Sequence, residues 1–161
     1  MSAGDLDAVV RGVFAGNRYM TLGTADEHGQ PWVSPVWFAS YEYREFFWVS
    51  SPEVAHSRNL AEHPEASIVV FDSQTPISTG QAVYMSAVVE QPAGAEAQRG
   101  IEIFSRRSLE CGGREWTLAD VEGSAILRLY RATATRHWML DKSGEGPRYD
   151  HRIPVTFTPA E

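Results

Sequence analysis

The strongest constraint on the fold is a run of short strand-like segments in the first third of the chain. Arg18–Ala25, Pro31–Tyr41 and Glu45–Val49 are rich in β-branched and aromatic residues, and Asp26–Gln30 between the first two is a turn with its glycine. The first two segments therefore predict a β-hairpin. Strands joined by such short turns pair antiparallel, so this region predicts an antiparallel sheet.

The rest of the chain adds further strands and places helices at the connections. Apolar residues at helical spacing predict helices over Gly4–Ala15 and Ala95–Leu109, and Gly112 supplies a left-handed end to the second one. Further strands are predicted over residues 67–72, 81–90, 125–132, 135–140 and 151–157. We expect a mainly β fold with peripheral helices, in which six to eight antiparallel strands close into a barrel within a single domain, residues 1–161.

The second strand carries apolar residues on both faces. Trp32 and Val36 fall on one face, and Val33 and Trp37 on the other. A strand of this kind is expected to be covered on both sides, as in a closed barrel. Pro35 removes one backbone donor, so an interruption of the pairing is predicted there.

Charge and cysteine content narrow the class of protein. The net charge of −7 argues against a nucleic-acid or membrane-surface partner, since both need a basic face. The lone Cys111 excludes an internal disulfide, and the N-terminus lacks a signal-peptide pattern. We therefore expect a cytoplasmic protein. The five scattered histidines do not have metal-ligand spacing, so no metal site is predicted.

The segment Ser50–Pro64 connects two strand-like runs through a short helix. Ser51 is a good N-cap, Pro52 suits the first helical position, and Pro64 stops the helix. Serine hydroxyls and free amides at a helix start favour an anion such as phosphate. A capped linker helix with an ordinary polar face has the same pattern. Both interpretations, an anion-binding helix start and a linker helix, therefore remain open here.

Aromatic residues are dense in the strands that lead into this helix. They are Trp32, Trp37, Phe38, Phe46, Phe47 and Trp48. A flat aromatic ligand with a phosphate tail needs an apolar slot for its rings and donors for its anion, and the two features together offer both. The alternative is that these side chains are simply core.

The order of several short segments resembles a known family. Thr21–Thr24, His28–Pro31 and Val33–Phe38 are similar to the opening of the pyridoxamine 5′-phosphate oxidase-like family, the flavin-binding split barrels. Residues 49–64 resemble its phosphate-binding turn and helix, and residues 129–138 its C-terminal strands. The resemblance implies a split β-barrel of antiparallel, Greek-key-like topology that binds flavin mononucleotide (FMN), usually in a homodimer.

Carried over by position, the resemblance implies a set of cofactor-binding residues. Ser34, Pro35, Val36 and Trp37 line the flavin ring edge, and Gln81 lies near the ribityl chain or the ring, while Trp138 approaches from the second subunit. The phosphate segment comprises Val49, Ser50, Ser51, His56, Ser57, Arg58 and Asn59. The family's Arg-Lys pair is replaced by Ala55 and His56. His56 is preferred to Arg58 for phosphate contact, because the two point about 160° apart on a helix.

The resemblance implies an FMN-dependent oxidoreductase that transfers hydride at flavin N5 to or from an unidentified small substrate. Two alternatives stay open: an F420-dependent reductase of the same fold, and a non-catalytic flavin- or haem-binding module. No catalytic residue is named. The family's C-terminal substrate clamp is matched only loosely at Arg148–Arg152, so pyridoxamine phosphate is not predicted as substrate. Phosphate beside His56 is expected to raise its pKa, so affinity is expected to fall above neutral pH.

Overall fold

The computed structural model describes residues 3–142 and 151–157. Its elements in chain order are α1 (Ala3–Gly16), β1 (Tyr19–Ala25), β2 (Pro31–Trp37), β3 (Ala39–Tyr41), β4 (Glu45–Ser50), α2 (Ala55–Glu62), β5 (Glu65–Phe71), β6 (Ala82–Glu90), α3 (Gly94–Glu110), a 3-10 turn (Leu118–Asp120), β7 (Arg128–Leu140) and β8 (Arg152–Val155). Among the described residues, no helix is long and apolar enough to cross a membrane.

All eight strands belong to one antiparallel sheet. Their order is β2-β1-β5-β6-β7-β4-β3, and β8 pairs with β7. The two terminal strands, β2 and β3, follow each other in the chain with only Phe38 between them. The sheet therefore curls back on itself, and it is a split β-barrel in which β2 and β4 approach each other without pairing. This confirms the predicted mainly β fold.

Two groups of buried side chains hold the barrel and its helices together. The barrel interior contains Phe46 and Trp48 of β4 with Met20 and Leu22 of β1, and α1 adds Val10. On the other side of β4, Phe47 packs against Ile101 and Phe104 of α3. Gly100 permits this contact, because a Cβ there would lie 2.7 Å from Cε1 of Phe47. Because successive side chains of β4 point to opposite faces, one face fills the barrel interior and the other packs against α3.

The structure corrects two predictions for the second strand. Trp32 and Val33 are 53% and 61% exposed, so β2 is not covered on both faces in the described chain. It is an edge strand, and edge strands accommodate proline. Pro35 therefore stays within β2, opposite Thr21, and the interruption comes later, at Phe38.

Other element predictions also needed the tertiary structure. The predicted hairpin of β1 and β2 is present. The helix α3 ends at Glu110, and Gly112 follows it with a left-handed φ of +80°. The helix predicted to start at Pro52, with Ser51 as its N-cap, starts instead at Ala55, with Val54 at the N-cap. The two strands predicted at 125–132 and 135–140 are one strand, β7, with a register shift opposite Ser86.

Candidate functional site

The predicted ring and phosphate residues meet at the split in the barrel. A cleft of about 650 Å³ opens at this seam, by which we mean the gap between β2 and β4. Its lining includes Pro35, Val36 and Trp37 of β2 together with Val49 and Ser50 of β4 and His56 of α2. Segments that are far apart in sequence are thus brought together at one cleft.

His56 bridges the seam. Its Nε2 lies 2.9 Å from Oγ of Ser50 on β4, and its Nδ1 lies 3.1 Å from Oγ of Ser34 on β2. The indole Nε1 of Trp32 donates a further hydrogen bond of 3.1 Å to the Ser34 hydroxyl. Because β2 and β4 share no backbone pairing, these side-chain contacts join the two sides of the barrel.

Burial sets the protonation of this histidine. His56 is 8% exposed, and burial lowers its pKa from the ordinary value of 6.5. At neutral pH the ring is therefore neutral, with one donor and one acceptor nitrogen. In the tautomer that carries hydrogen on Nε2, the ring donates to Ser50 and accepts from Ser34. The Ser50 hydroxyl proton is then free for a ligand.

The start of α2 provides backbone donors next to Ser50. The first intrahelical bond runs from the Arg58 amide to the Val54 carbonyl at 3.1 Å, so the amides of Ala55, His56 and Ser57 precede the helical ladder. The buried hydroxyl of Ser57 has no hydrogen-bond partner. This donor set suits an anion.

Ser51 does not cap the helix as predicted. Its hydroxyl accepts a hydrogen bond of 3.2 Å from the Glu53 amide, and its carbonyl accepts one of 3.5 Å from the Val54 amide. These bonds make a turn that precedes the helix. Ser51 therefore shapes the approach to α2 and does not cap its first turn.

Aromatic rings form the wall of the cleft opposite the serines. Trp37 packs edge-on against Phe104 with ring centroids 4.8 Å apart, and Phe104 packs edge-on against Trp116 at 5.5 Å. The Arg114 guanidinium lies over the Trp116 ring, 3.6 Å from its centroid. The cleft thus combines an apolar aromatic wall with two arginines at its rim. Arg114 is paired with Asp120 at 3.1 Å, whereas Arg18 forms no ion pair among the described residues.

Sequence reasoning predicted Trp37 but missed the rest of this wall. Phe104, Trp116 and Arg114 come from α3 and the segment after it, and nothing local marks them as neighbours of β2. The only available signal was the long connection between the fifth and sixth predicted strands, because functional residues are common in such connections.

The remaining predicted residues lie elsewhere. Gln81 lines a different groove, where its amide bonds to both backbone groups of Leu140, at 3.1 and 2.9 Å, and so joins β6 to β7. Arg58 is exposed, on the opposite side of α2 from buried His56. Asn59 faces β1 and donates a hydrogen bond of 3.0 Å to Thr24. Residues 148–150 of the predicted C-terminal substrate clamp lie outside the described residues.

Trp138 is separated from the cleft within one chain. Cross-strand pairing links Pro35 to Thr21, Val69, Tyr84 and then Trp138, so the two ends lie in one row across five strands. Four strand spacings amount to about 19 Å. Trp138 and Pro35 therefore share the outer face of the sheet but do not contact each other.

The chain matches the profile of a known family over most of its length. A family profile described as pyridoxamine 5′-phosphate oxidase matches residues 6–119. The chain belongs to the pyridoxamine 5′-phosphate oxidase family. The match includes β1 to β6, α2 and the whole cleft wall up to Trp116. No curated protein matches the sequence significantly.

Solved structures share the fold at low sequence identity. A haem-binding protein from Mycobacterium smegmatis superposes with a TM-score of 0.71 at 20% identity over 97% of this chain, which spans 58% of that protein. HutZ, a haem storage protein from Vibrio cholerae, gives 0.63 at 20% identity, covering 80% of this chain and 89% of its own. A conserved hypothetical protein from Mycobacterium tuberculosis gives 0.64 at 22%, covering 85% and 82%.

Proposed function

We propose that this family member binds FMN in the seam cleft and acts as an oxidoreductase on a small substrate. The observation that carries the proposal is the juxtaposition of an anion donor set with an aromatic wall in one cleft. Ser50, His56 and the first amides of α2 form the anion donor set. Trp37 and Phe104 belong to the aromatic wall. A phosphorylated tricyclic ring needs both.

The residues present fit the phosphate end of FMN. The Ser50 hydroxyl lines the cleft, the α2 amides lack helical partners, and the α2 dipole favours negative charge. The unpartnered Ser57 hydroxyl is a further donor close to the same turn. His56 holds Ser50 in position through Nε2.

The flavin, when bound, supplies hydride transfer at N5, and the protein supplies position and electrostatics. Trp37 and Phe104 exclude water from one side of the cleft, and Arg18, which forms no ion pair among the described residues, gives its rim positive charge. A cationic rim suits an anionic substrate, or the polyanionic tail of F420 if that coenzyme replaces FMN. We assign no proton donor or acceptor to the reaction.

We further propose that the active form is a homodimer joined through the outer face of the sheet. Tyr19, Val33 and Phe71 lie on this face and are 60%, 61% and 46% exposed. Cross-strand pairing places Pro35 and Trp138 on it as well. A second copy would cover these apolar side chains and bring its Trp138 toward the first copy's cleft.

Haem binding is the second candidate, favoured by the two haem proteins among the structural neighbours. It requires an axial ligand, and the buried histidines are already engaged. His56 contacts two serines, and Nε2 of His137 donates to the Tyr43 carbonyl at 2.7 Å. An exposed histidine, His28, His63 or His151, would then be the ligand.

The test is spectroscopic titration of the purified full chain with FMN, F420 and haemin in parallel. We expect saturable FMN binding, and we expect Ser50→Ala to weaken it about tenfold, because a hydrogen bond to a charged group is lost. His63→Gln, at the exposed end of α2, is the matched control and should leave the affinity unchanged.

Other outcomes reject the proposal in defined ways. Tighter binding of F420 than of FMN would change the cofactor but keep the cleft. A Soret band that disappears when one histidine is replaced, without any flavin binding, would establish the haem module. Bound FMN that no nicotinamide donor or substrate panel reduces would reject the oxidoreductase activity while leaving flavin binding intact.

A further inference from the structure

Aromatic side chains close the end of the barrel next to α1. Tyr43, in the turn between β3 and β4, stacks on Phe14 of α1 with ring centroids 5.5 Å apart. Phe157, two residues after β8, stacks on Tyr43 at 5.7 Å and packs edge-on against His137 of β7 at 4.6 Å. Segments that are distant in sequence thus cover a histidine that is only 8% exposed.

The turn that forms one half of this cover is fixed to β7. Nε2 of His137 donates a hydrogen bond of 2.7 Å to the Tyr43 carbonyl, and the Ala134 amide donates one of 2.8 Å to the Arg44 carbonyl. Tyr43 has a left-handed φ of +54°, which is uncommon for a residue other than glycine and is held here by these bonds. We therefore expect the turn to stay in place.

The C-terminal half of the cover is held more weakly. Among the described strands, β8 pairs only with β7, and it has four residues. One of the four, Pro154, has no amide hydrogen to donate. Short edge segments of this kind open locally at a lower free-energy cost than strands inside a sheet. Val155 pairs with His137, so an opening of residues 152–157 uncovers the histidine.

The surroundings of His137 oppose a positive charge on its ring. Burial is the largest cause that lowers its pKa from the ordinary value of 6.5, the hydrogen bond to Tyr43 raises it, and the charge of Arg44 lowers it further. Glu42, in the same turn as Arg44, is exposed and forms no ion pair with the histidine among the described residues. The closed barrel end therefore favours the neutral ring.

The neighbouring elements do not supply a counter-ion either. Arg11 of α1 is itself paired with Asp7 at 2.6 Å. Arg136 precedes His137 in β7 and is exposed, and Met85, opposite the histidine on β6, is uncharged. Within the described part of the chain, a proton on the closed ring thus adds a positive charge near other positive groups.

We propose that residues 152–157 are a proton-sensitive cover, which detaches from the barrel end when His137 takes up a second proton. The attached segment buries a neutral ring, whereas detachment lets water solvate the imidazolium. The bond to the Tyr43 carbonyl persists, because Nε2 carries hydrogen in both forms. Detachment also separates Arg152 from Tyr84, whose ring it covers at 4.1 Å, so acid changes the outer face of the sheet as well.

The direction of the pH effect follows from proton uptake. His137 has a pKa near 6.5 when the segment is detached and a lower pKa when it is attached. Attachment is therefore strongest above pH 6.5. Between the two pKa values, the ratio of attached to detached chains falls tenfold for each unit by which the pH decreases. Below the lower pKa the ratio is constant.

Amide hydrogen exchange of the isotope-labelled full chain, followed by NMR between pH 5 and pH 7.5, measures the opening. After correction for the intrinsic exchange rates, protection of the amides in residues 152–157 should fall by up to tenfold per pH unit below pH 6.5. Protection of residues 66–70 in β5, inside the sheet, should not change. The opening needs no bound flavin, so its test is independent of the proposed function.

Two histidine variants show which group senses the proton. His137→Gln keeps a donor for the Tyr43 carbonyl but does not titrate, so protection of residues 152–157 should no longer depend on pH. His151→Gln is the matched control, because His151 lies at the other end of β8, where it pairs with Asp141 at 3.2 Å. The fall in protection should persist in this variant.

Phe157→Ala tests the cover without changing the histidine. Removal of the ring exposes His137, so its pKa, measured by NMR of the imidazole, should rise toward 6.5. An unchanged pKa would show that the segment does not control proton uptake.

Other results would also overturn the proposal. Protection of residues 152–157 that is constant with pH would show that the segment does not respond to protons. An equal loss in β5 would indicate general acid unfolding. A fall that persists in His137→Gln would assign the response to another group. Circular dichroism of each variant separates these results from misfolding, and Phe157→Ala decides the matter if His137→Gln does not fold.

Discussion

His56 decides how proton uptake and anion binding are connected at the seam. Burial lowers its pKa below 6.5 in the unliganded chain, and an anion beside Ser50 favours the charged ring. Protonation breaks neither contact, because the oxygens of Ser34 and Ser50 can both accept from the imidazolium. The folded, ligand-bound pKa is therefore higher than the free one.

We expect FMN affinity to be highest below the free pKa of His56 and to fall as pH rises toward the pKa of the complex. Above that value it should be constant. The FMN phosphate itself titrates near pH 6, so His56→Gln is measured alongside to remove that contribution. Fluorescence titration between pH 5 and 9 gives both curves. Identical curves for the two proteins would exclude His56 from anion binding.

At this scale the sequence was informative only for residues that lie in one contiguous segment. Ser50 and His56 were predicted together because strand, turn and helix follow each other. The partnership of His56 with Ser34 was not foreseen, since it depends on β2 and β4 meeting across the seam. Phe104 was assigned to a helix and recognised only as apolar, because its contact with Trp37 is purely tertiary.

At the scale of elements, α3 is held to the sheet by a cluster of charged groups. Arg131 of β7 is only 14% exposed at its side chain and contacts Glu45 of β4 at 3.1 Å, Glu90 of β6 at 2.5 Å and Glu96 of α3 at 2.6 Å. Arg99 of α3 completes the cluster by pairing with Glu45. The cluster therefore anchors the first turn of the helix whose later residues form the cleft wall.

We expect Arg131→Gln to lower the free energy of unfolding by roughly 1.5–3 kcal/mol, the range for hydrogen bonds to charged groups, since three carboxylates lose their shared partner. FMN affinity should fall with it, because Phe104 moves with α3. Urea denaturation and flavin titration measure the two effects. Arg106→Gln on the exposed side of α3 is the control. An equally large loss of unfolding free energy in that variant would show that the loss in Arg131→Gln does not come from the charged cluster.

Local sequence predicted most elements but misplaced their limits where local and tertiary preferences compete. Ser51 and Pro52 suit a helix start, yet the Ser51 hydroxyl and carbonyl are used in a turn that delays α2 to Ala55. The β7 strand was divided in the prediction because threonines and alanines interrupt its apolar pattern. Pairing with β6 on one side and with β4 and β8 on the other keeps it continuous.

At the scale of the whole molecule, the structure differs from the sequence-based prediction at the outer face of the sheet. Apolar residues on both faces of β2 predicted cover on both sides, whereas Val33 is 61% exposed in the described chain. A second copy packed on this face would satisfy the pattern and place its Trp138 near the cleft. Burial of β2 would then be a property of the assembly.

Val33→Glu should therefore convert a dimer into a monomer, because a carboxylate would be buried at the interface without a partner. FMN affinity should fall in parallel if Trp138 of the second copy completes the site. Ile126→Glu changes a side chain that is 82% exposed outside the sheet and should leave both properties unchanged. Light scattering after size-exclusion chromatography measures mass, and flavin titration measures affinity. A Val33→Glu protein that stays dimeric would place the interface on another face, and a monomer with full affinity would show that the cleft is complete within one chain.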